Sequence, residues 1–195
     1  MKIIFLDVDG VLNSDSDYYY TVGPNKGEPR PRSPHCGTYA TGVYRGISDK
    51  KVKRLAKIVE ETGAAIVLVS SWKKFYVKFL ETGRDVFGHY LYNKLSKHGL
   101  KILDTTYEHE KIHDVRGDYT VWKRGMGVYH WLKEHDNVES WIALDDETWD
   151  YRHDQIGRVV ETLDFEEPEG GLNDRIMKKA IEMLNNPEKL DFEEE

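Results

Sequence analysis

A doubly wound parallel α/β sheet is the fold this sequence predicts, and three patterns predict it. Residues 2–6 (KIIFL) and 64–69 (AAIVLV) form apolar runs without polar alternation, as strands buried on both faces do. Between them, SDKKVKRLAKIVEETG carries Val52, Leu55, Ala56 and Val59 at helical spacing. That makes a strand–helix–strand unit, and the same alternation continues along the chain.

The elements follow in order. Ser48 is placed to cap the first helix and Gly63 to stop it. After the second strand, a helix starts near Trp72, with Phe75, Tyr76, Phe79 and Leu80 on one face and a stop near Gly83. A weaker helix holds Leu91 and Leu95, and a poorly defined strand follows at about 100–103. Residues 126–135 read as a helix with Val128, Trp131 and Leu132 inward, leading into the strand VESWIALDD. A short strand near 158–162 precedes a helix over 174–184, with Ile176, Ala180 and Leu184 on one face. The end, DFEEE, reads as a solvated tail.

Residues 14–46 and 104–120 lack this periodicity. The first segment holds most of the prolines and many glycines. Irregular loops longer than about 15 residues in a compact domain are usually functional or disordered. Residues 14–46 directly follow the first strand, so they are expected to form a small lid inserted in a single domain spanning 1–195.

Composition narrows the function classes. The length suits one domain with a sizeable core. A net charge of −7 and a pI near 5.7 argue against stable binding to duplex nucleic acid, which needs many Lys and Arg on phosphates. Cys36 is the single cysteine, so neither an internal disulfide nor an all-cysteine zinc site can form. The first apolar stretch, 3–6, is interrupted by Asp7 and is too short for a signal peptide or a membrane span. These features predict a cytoplasmic protein with no membrane association.

The chemistry gathers at strand ends, where open α/β sheets bind ligands. Asp7 and Asp9 follow the first strand, Ser70 and Ser71 the second, and Asp145 and Asp146 the strand in VESWIALDD. Aspartates often end strands and cap helices. Two aspartate pairs plus SSW at a third strand end exceed that coincidence. Four carboxylates around one spot need a cation, and an all-oxygen ligand set suits Mg²⁺. In an extended chain a spacing of two puts Asp7 and Asp9 on the same side, with Val8 pointing away.

FLDVDGVLN, VLVSS, KRGMGVYHWL and IALDD resemble, in order, the four motifs of the haloacid dehalogenase-like (HAD) superfamily, whose core is Rossmann-like. TGAAIVLVSSW, RGMGVYHWL, VESWIALDDE and GLNDRIMKKAIEML are similar to one branch, the HAD domain of Swiss Army Knife RNA repair proteins. The resemblance covers most of the chain outside 14–46 and 104–120. It implies that Asp7 is a nucleophile forming an aspartyl-phosphate and that Asp9 is the general acid and base. Gly10 lets the backbone turn away sharply. Ser70 would bind a phosphoryl oxygen, with the backbone N–H groups from Ser71 onward as an oxyanion site. Arg124 or Lys123 would neutralise the phosphoryl group; the RG step favours Arg124, the superfamily's usual lysine favours Lys123. Asp7, the backbone carbonyl of Asp9 and Asp145 would hold Mg²⁺, with Asp146 acting through water or orienting the basic residue.

Other patterns carry less. HEKIH at 109–113 matches a zinc-protease motif but sits in a polar, turn-rich stretch close to Gly117. The RGD at 116–118 and the His35–Cys36 pair read as ordinary surface. Tyrosines 18–20, with Lys26, Arg30 and Arg32 beyond them, suit a lid that stacks a base and binds substrate phosphates, or equally an aromatic cluster packing the loop down. The sequence therefore predicts a Mg²⁺-dependent phosphatase acting on a nucleotide or nucleic-acid-end phosphomonoester. The alternatives are a small-metabolite phosphatase and a non-catalytic phosphate-binding protein of the same fold.

Overall fold

The computed structural model describes residues 1–14, 17, 24–26, 46–106, 123–162 and 169–186, together with the backbone of 37–39 and 42–44. Five strands, β1 (Lys2–Leu6), β4 (Ala65–Leu68), β5 (Ile102–Thr105), β6 (Ser140–Asp145) and β7 (Val159–Glu161), form an all-parallel sheet in the order β5-β4-β1-β6-β7. Strand β1 lies at the centre, pairing Leu6 with Leu68 on one side and with Leu144 on the other. Its alternate residues feed two separate cores. Ile4 and Leu6 join the core beneath α1 (Asp49–Thr62), α3 (Val86–Ser96) and α5 (Asp174–Asn185). Ile3 and Phe5 join the one beneath α4 (Lys123–Lys133), with Trp131 and Trp141 edge-on to the Phe5 ring. The sheet is doubly wound, as the sequence predicts.

Four details differ from the sequence reading. A short antiparallel hairpin, β2 (Gly37–Tyr39) with β3 (Gly42–Tyr44), lies within the aperiodic 14–46 segment. Strand β5 begins two residues later than expected. Helix α2 (Lys73–Thr82) buries only Tyr76, and Leu80 is 59 % exposed. Its aromatic residues meet α3 at the molecule's edge instead, Phe75 against Phe87 at 5.1 Å and Phe79 against Tyr92 at 5.5 Å between ring centroids. Helix α4 starts at Lys123 rather than Met126, because Asp150 accepts the backbone N–H groups of Lys123 at 2.7 Å and Arg124 at 3.4 Å. That caps an end whose donors would otherwise lack partners.

Helix α1 buries Lys51, which is 4 % exposed. Its ammonium donates to Asp17 Oδ2 at 2.5 Å and Ser14 Oγ at 2.9 Å, tying the start of the 14–46 segment to α1. No helix among the described residues is long and apolar enough to cross a membrane.

Candidate active site

The carboxyl ends of β1, β4 and β6 lie side by side, so the residues just beyond them meet. Asp7 donates its backbone N–H to the Leu144 carbonyl at 3.0 Å, and Val69 donates to the Leu6 carbonyl at 3.0 Å, so both ladders persist up to the site. One carboxylate oxygen each from Asp7, Asp145 and Asp146 lies within 4.8 Å of the others. Asp7 is 2 % exposed and Asp145 fully buried.

Arg124 reaches into this group from the first turn of α4. It hydrogen-bonds Asp145 and lies 3.5 Å from Asp7 Oδ2, 3.2 Å from Glu147 Oε2 and 3.8 Å from Asp150 Oδ2. Burial works against its charge, but Asp7, Asp145, Tyr151 and Glu147 outweigh that and push its pKa up. Lys123, the other candidate, has an exposed side chain. Helix α4 comes this close because of Gly125: a Cβ there would lie 2.6 Å from the Arg152 backbone nitrogen and 2.9 Å from Tyr151 Cα.

The carboxylates are under-compensated. Burial, and then the neighbouring Asp145, push the Asp7 pKa up to about 8, against the pull of Arg124 and a hydrogen bond from the Ser70 hydroxyl. Burial raises Asp145 to about 6 although Arg124, the Glu147 backbone N–H and the Tyr151 hydroxyl favour its anion. Burial also raises Asp146. An all-oxygen donor set short of positive charge fits a hard divalent cation, and HAD domains generally use Mg²⁺.

Asp9 differs from the expectation that four carboxylates surround one spot. Its side chain is exposed and held apart, with Oδ1 accepting from Asn13 Nδ2 and Oδ2 from Trp72 Nε1, both at 2.8 Å. The β1 ladder ends with the Asp7 N–H and the chain then turns, Val11 and Leu12 donating to the Val8 carbonyl. Strand alternation therefore does not govern where Asp9 points. Gly10 adopts φ +71°, with its N–H on Asn13 Oδ1 at 3.0 Å and its carbonyl accepting from Thr162 Oγ1 at 2.8 Å.

Ser70 is buried beside Asp7, and its Oγ accepts the Trp72 backbone N–H at 3.3 Å; Ser71 is exposed at the mouth of the strand end. Arg30, Arg32, tyrosines 18–20, His35, Cys36, HEKIH and RGD lie outside the described residues. Sequence reasoning missed the roles of Asn13, Trp72, Tyr151 and Asp150. Asn13 and Trp72 stood within the quoted motifs; nothing in the sequence marked Tyr151 as a partner of Asp145.

No curated protein and no solved structure matches the chain at a significant level. A family model described as the HAD domain in Swiss Army Knife RNA repair proteins matches residues 3–175. That span includes all five parallel strands apart from Lys2 and, among the described residues, the polar groups set against the Asp7 carboxylate, and the chain belongs to this family of HAD domains.

Proposed function

We propose that this chain is a Mg²⁺-dependent phosphatase that removes a terminal phosphoryl group from a nucleotide or nucleic-acid end through an aspartyl-phosphate at Asp7. Its family supports the coarser reading, a HAD-type phosphohydrolase. The observation that carries the finer one is the convergence of Asp7, Asp145 and Asp146 from two adjacent parallel strands, with Arg124 set against them. Asp7, Asp145 and Asp146, with the Asp9 carbonyl, would hold Mg²⁺, which when bound neutralises crowded carboxylates and phosphoryl oxygens.

The residues divide the work as follows. A carboxylate oxygen of Asp7 attacks phosphorus while the bond to the leaving oxygen breaks, and Asp9 gives that oxygen its proton. Water then attacks the phosphoryl group, Asp9 takes the proton, and the bond to Asp7 breaks to release inorganic phosphate. Ser70, the N–H groups from Ser71 onward and Arg124 bind the phosphoryl oxygens. Gly10 keeps the backbone out of their way. We assign the basic role to Arg124 rather than Lys123 because its guanidinium approaches Asp7. We take 14–46 as a lid whose Arg30 and Arg32 contact substrate phosphates.

A nucleic-acid end is favoured over a small metabolite because the family is described by RNA repair. The test is a phosphatase screen over mononucleotides, 3′- and 5′-phosphorylated oligonucleotides and sugar phosphates, with Mg²⁺ present or chelated. We expect Mg²⁺-dependent release of phosphate from nucleotides or oligonucleotides, abolished by Asp7→Asn. Turnover that persists in Asp7→Asn or under chelation, or that is confined to sugar phosphates, overturns this reading.

A further inference from the structure

Asp9 is gripped on both oxygens by groups that are themselves immobilised. Asn13 is fully buried; its amide nitrogen serves Asp9 Oδ1 while its amide oxygen takes the Gly10 N–H at 3.0 Å. A single side chain thus closes the turn from Asp9 to Asn13 and aims the carboxylate. Trp72 is 6 % exposed, and its ring meets Phe75 and Phe87 edge-on at 6.4 and 6.0 Å. From this packed ring the indole N–H donates to Asp9 Oδ2 at 2.8 Å.

An exposed aspartate is ordinarily free to rotate about both side-chain torsions, and holding it costs entropy that rigid donors defray. Both donors are neutral, and each carboxyl oxygen retains a further lone pair at which a proton can reside. The grip therefore fixes orientation without occupying the position from which the proton is transferred.

We propose that Trp72 and Asn13 are positioning residues for the proton-transfer step, holding Asp9 in line with the leaving oxygen. The proposal rests on the reading of Asp9 as general acid and base. It joins the segment after β4 to the proton transfer as well as to phosphate binding, since Trp72 follows Ser70 and Ser71 directly.

The test uses the dependence of the reaction on its leaving group. A p-nitrophenolate departs without a proton, whereas the alkoxide of a nucleoside monophosphate needs one. The ratio of kcat/KM for the two esters, measured on one preparation, reports the acid and is unaffected by the fraction of protein folded. Asp9→Asn is expected to lower kcat/KM for the nucleotide about 10²–10⁴-fold with a much smaller loss on p-nitrophenyl phosphate. Trp72→Phe keeps an aromatic ring at this nearly buried position while deleting the N–H donor together with one ring of the indole. It and Asn13→Ala are expected to shift the ratio in the same direction by roughly 10- to 100-fold.

If Asp9→Asn shifts the ratio and both of the other variants keep the wild-type ratio, the positioning proposal is wrong and the proposed function stands. If Asp9→Asn leaves the ratio unchanged, the assignment of Asp9 fails and the positioning proposal with it. A wild-type protein that hydrolyses neither ester, nor a phosphorylated oligonucleotide in place of the nucleoside monophosphate, overturns both readings.

Discussion

Replacing Gly10 by alanine tests the geometry of the site at one atom. At φ +71° an L-residue pays about 1–2 kcal/mol for the left-handed backbone. The added Cβ would also sit 2.1 Å from Asp146 Cγ and Oδ2, where ordinary contact begins near 3.4 Å, so one group must retreat by more than an ångström. The backbone is poorly placed to do so, because Gly10 is bonded through its N–H to Asn13 and through its carbonyl to Thr162. Asp146 moves instead, and the proposed Mg²⁺ site loses one of its three carboxylates. We expect urea unfolding in chelator to show a loss of about 1–2 kcal/mol. Titration calorimetry with Mg²⁺ should show affinity reduced at least about tenfold. Asp146→Ala removes the clashing group, so Gly10→Ala added to it should weaken Mg²⁺ binding little further. Wild-type Mg²⁺ affinity in Gly10→Ala, or fully additive losses in the double variant, would refute this reasoning.

Three further outcomes are expected. In metal-free protein, Asp7 and Asp145 keep protons up to about pH 8 and 6, whereas the unfolded chain releases them near the ordinary value of 3.8. The native state then binds more protons across that window, so this contribution to stability is full below about pH 4 and lost as pH rises through 6 and 8. Tm measured in chelator should fall from pH 5 to about 8.5, and Mg²⁺ should restore it most at the alkaline end; a Tm that rises in chelator contradicts the carboxylate assignment. Tyr151→Phe deletes the 2.7 Å bond to Asp145 Oδ2. It should cost about 1–3 kcal/mol in denaturant unfolding and weaken Mg²⁺ binding about tenfold, and unchanged values would dismiss Tyr151 as a support. Lys51→Met leaves Asp17 and Ser14 without the ammonium. A shifted urea midpoint worth roughly 3 kcal/mol is expected, the low end for a broken buried pair because Asp17 retains some access to water; an unshifted midpoint would show that the pair contributes nothing.

The parts of this protein legible in its sequence are those set by local patterning. KIIFL and AAIVLV announce buried parallel strands because no polar residue interrupts them, and Val52 and Leu55 announce the inner face of α1. The strand ends carrying Asp7, Ser70 and Asp145 could be placed together because the topology of such sheets is restricted. What stayed hidden depends on partners distant in the chain. The start of α4 is set by Asp150, which follows β6, so the sequence around Lys123 contains no capping signal. The burial of Lys51 depends on Asp17 and Ser14, and in isolation that position reads as the wet side of an amphipathic helix. Leu80 looks inward by periodicity, yet α2 packs its aromatics on α3 and leaves it in solvent. The separation of Asp9 from the other carboxylates depends on a turn that begins where the β1 ladder stops.

The central position of β1 bears on how the site comes into being. Asp7 and Asp9 lie within the first ten residues, but β1 reaches its neighbour β6 only through the register that joins Lys2 to Ser140. Closing so long a loop costs entropy before any contact offsets it, and parallel pairings of this kind form slowly. No fragment ending before β6 can gather Asp7 and Asp145, so cation affinity should appear late and all at once during folding. Bound metal would then report that the last central pairing has formed, and a chain stalled earlier would carry Asp7, the proposed nucleophile, in the open, chemically idle.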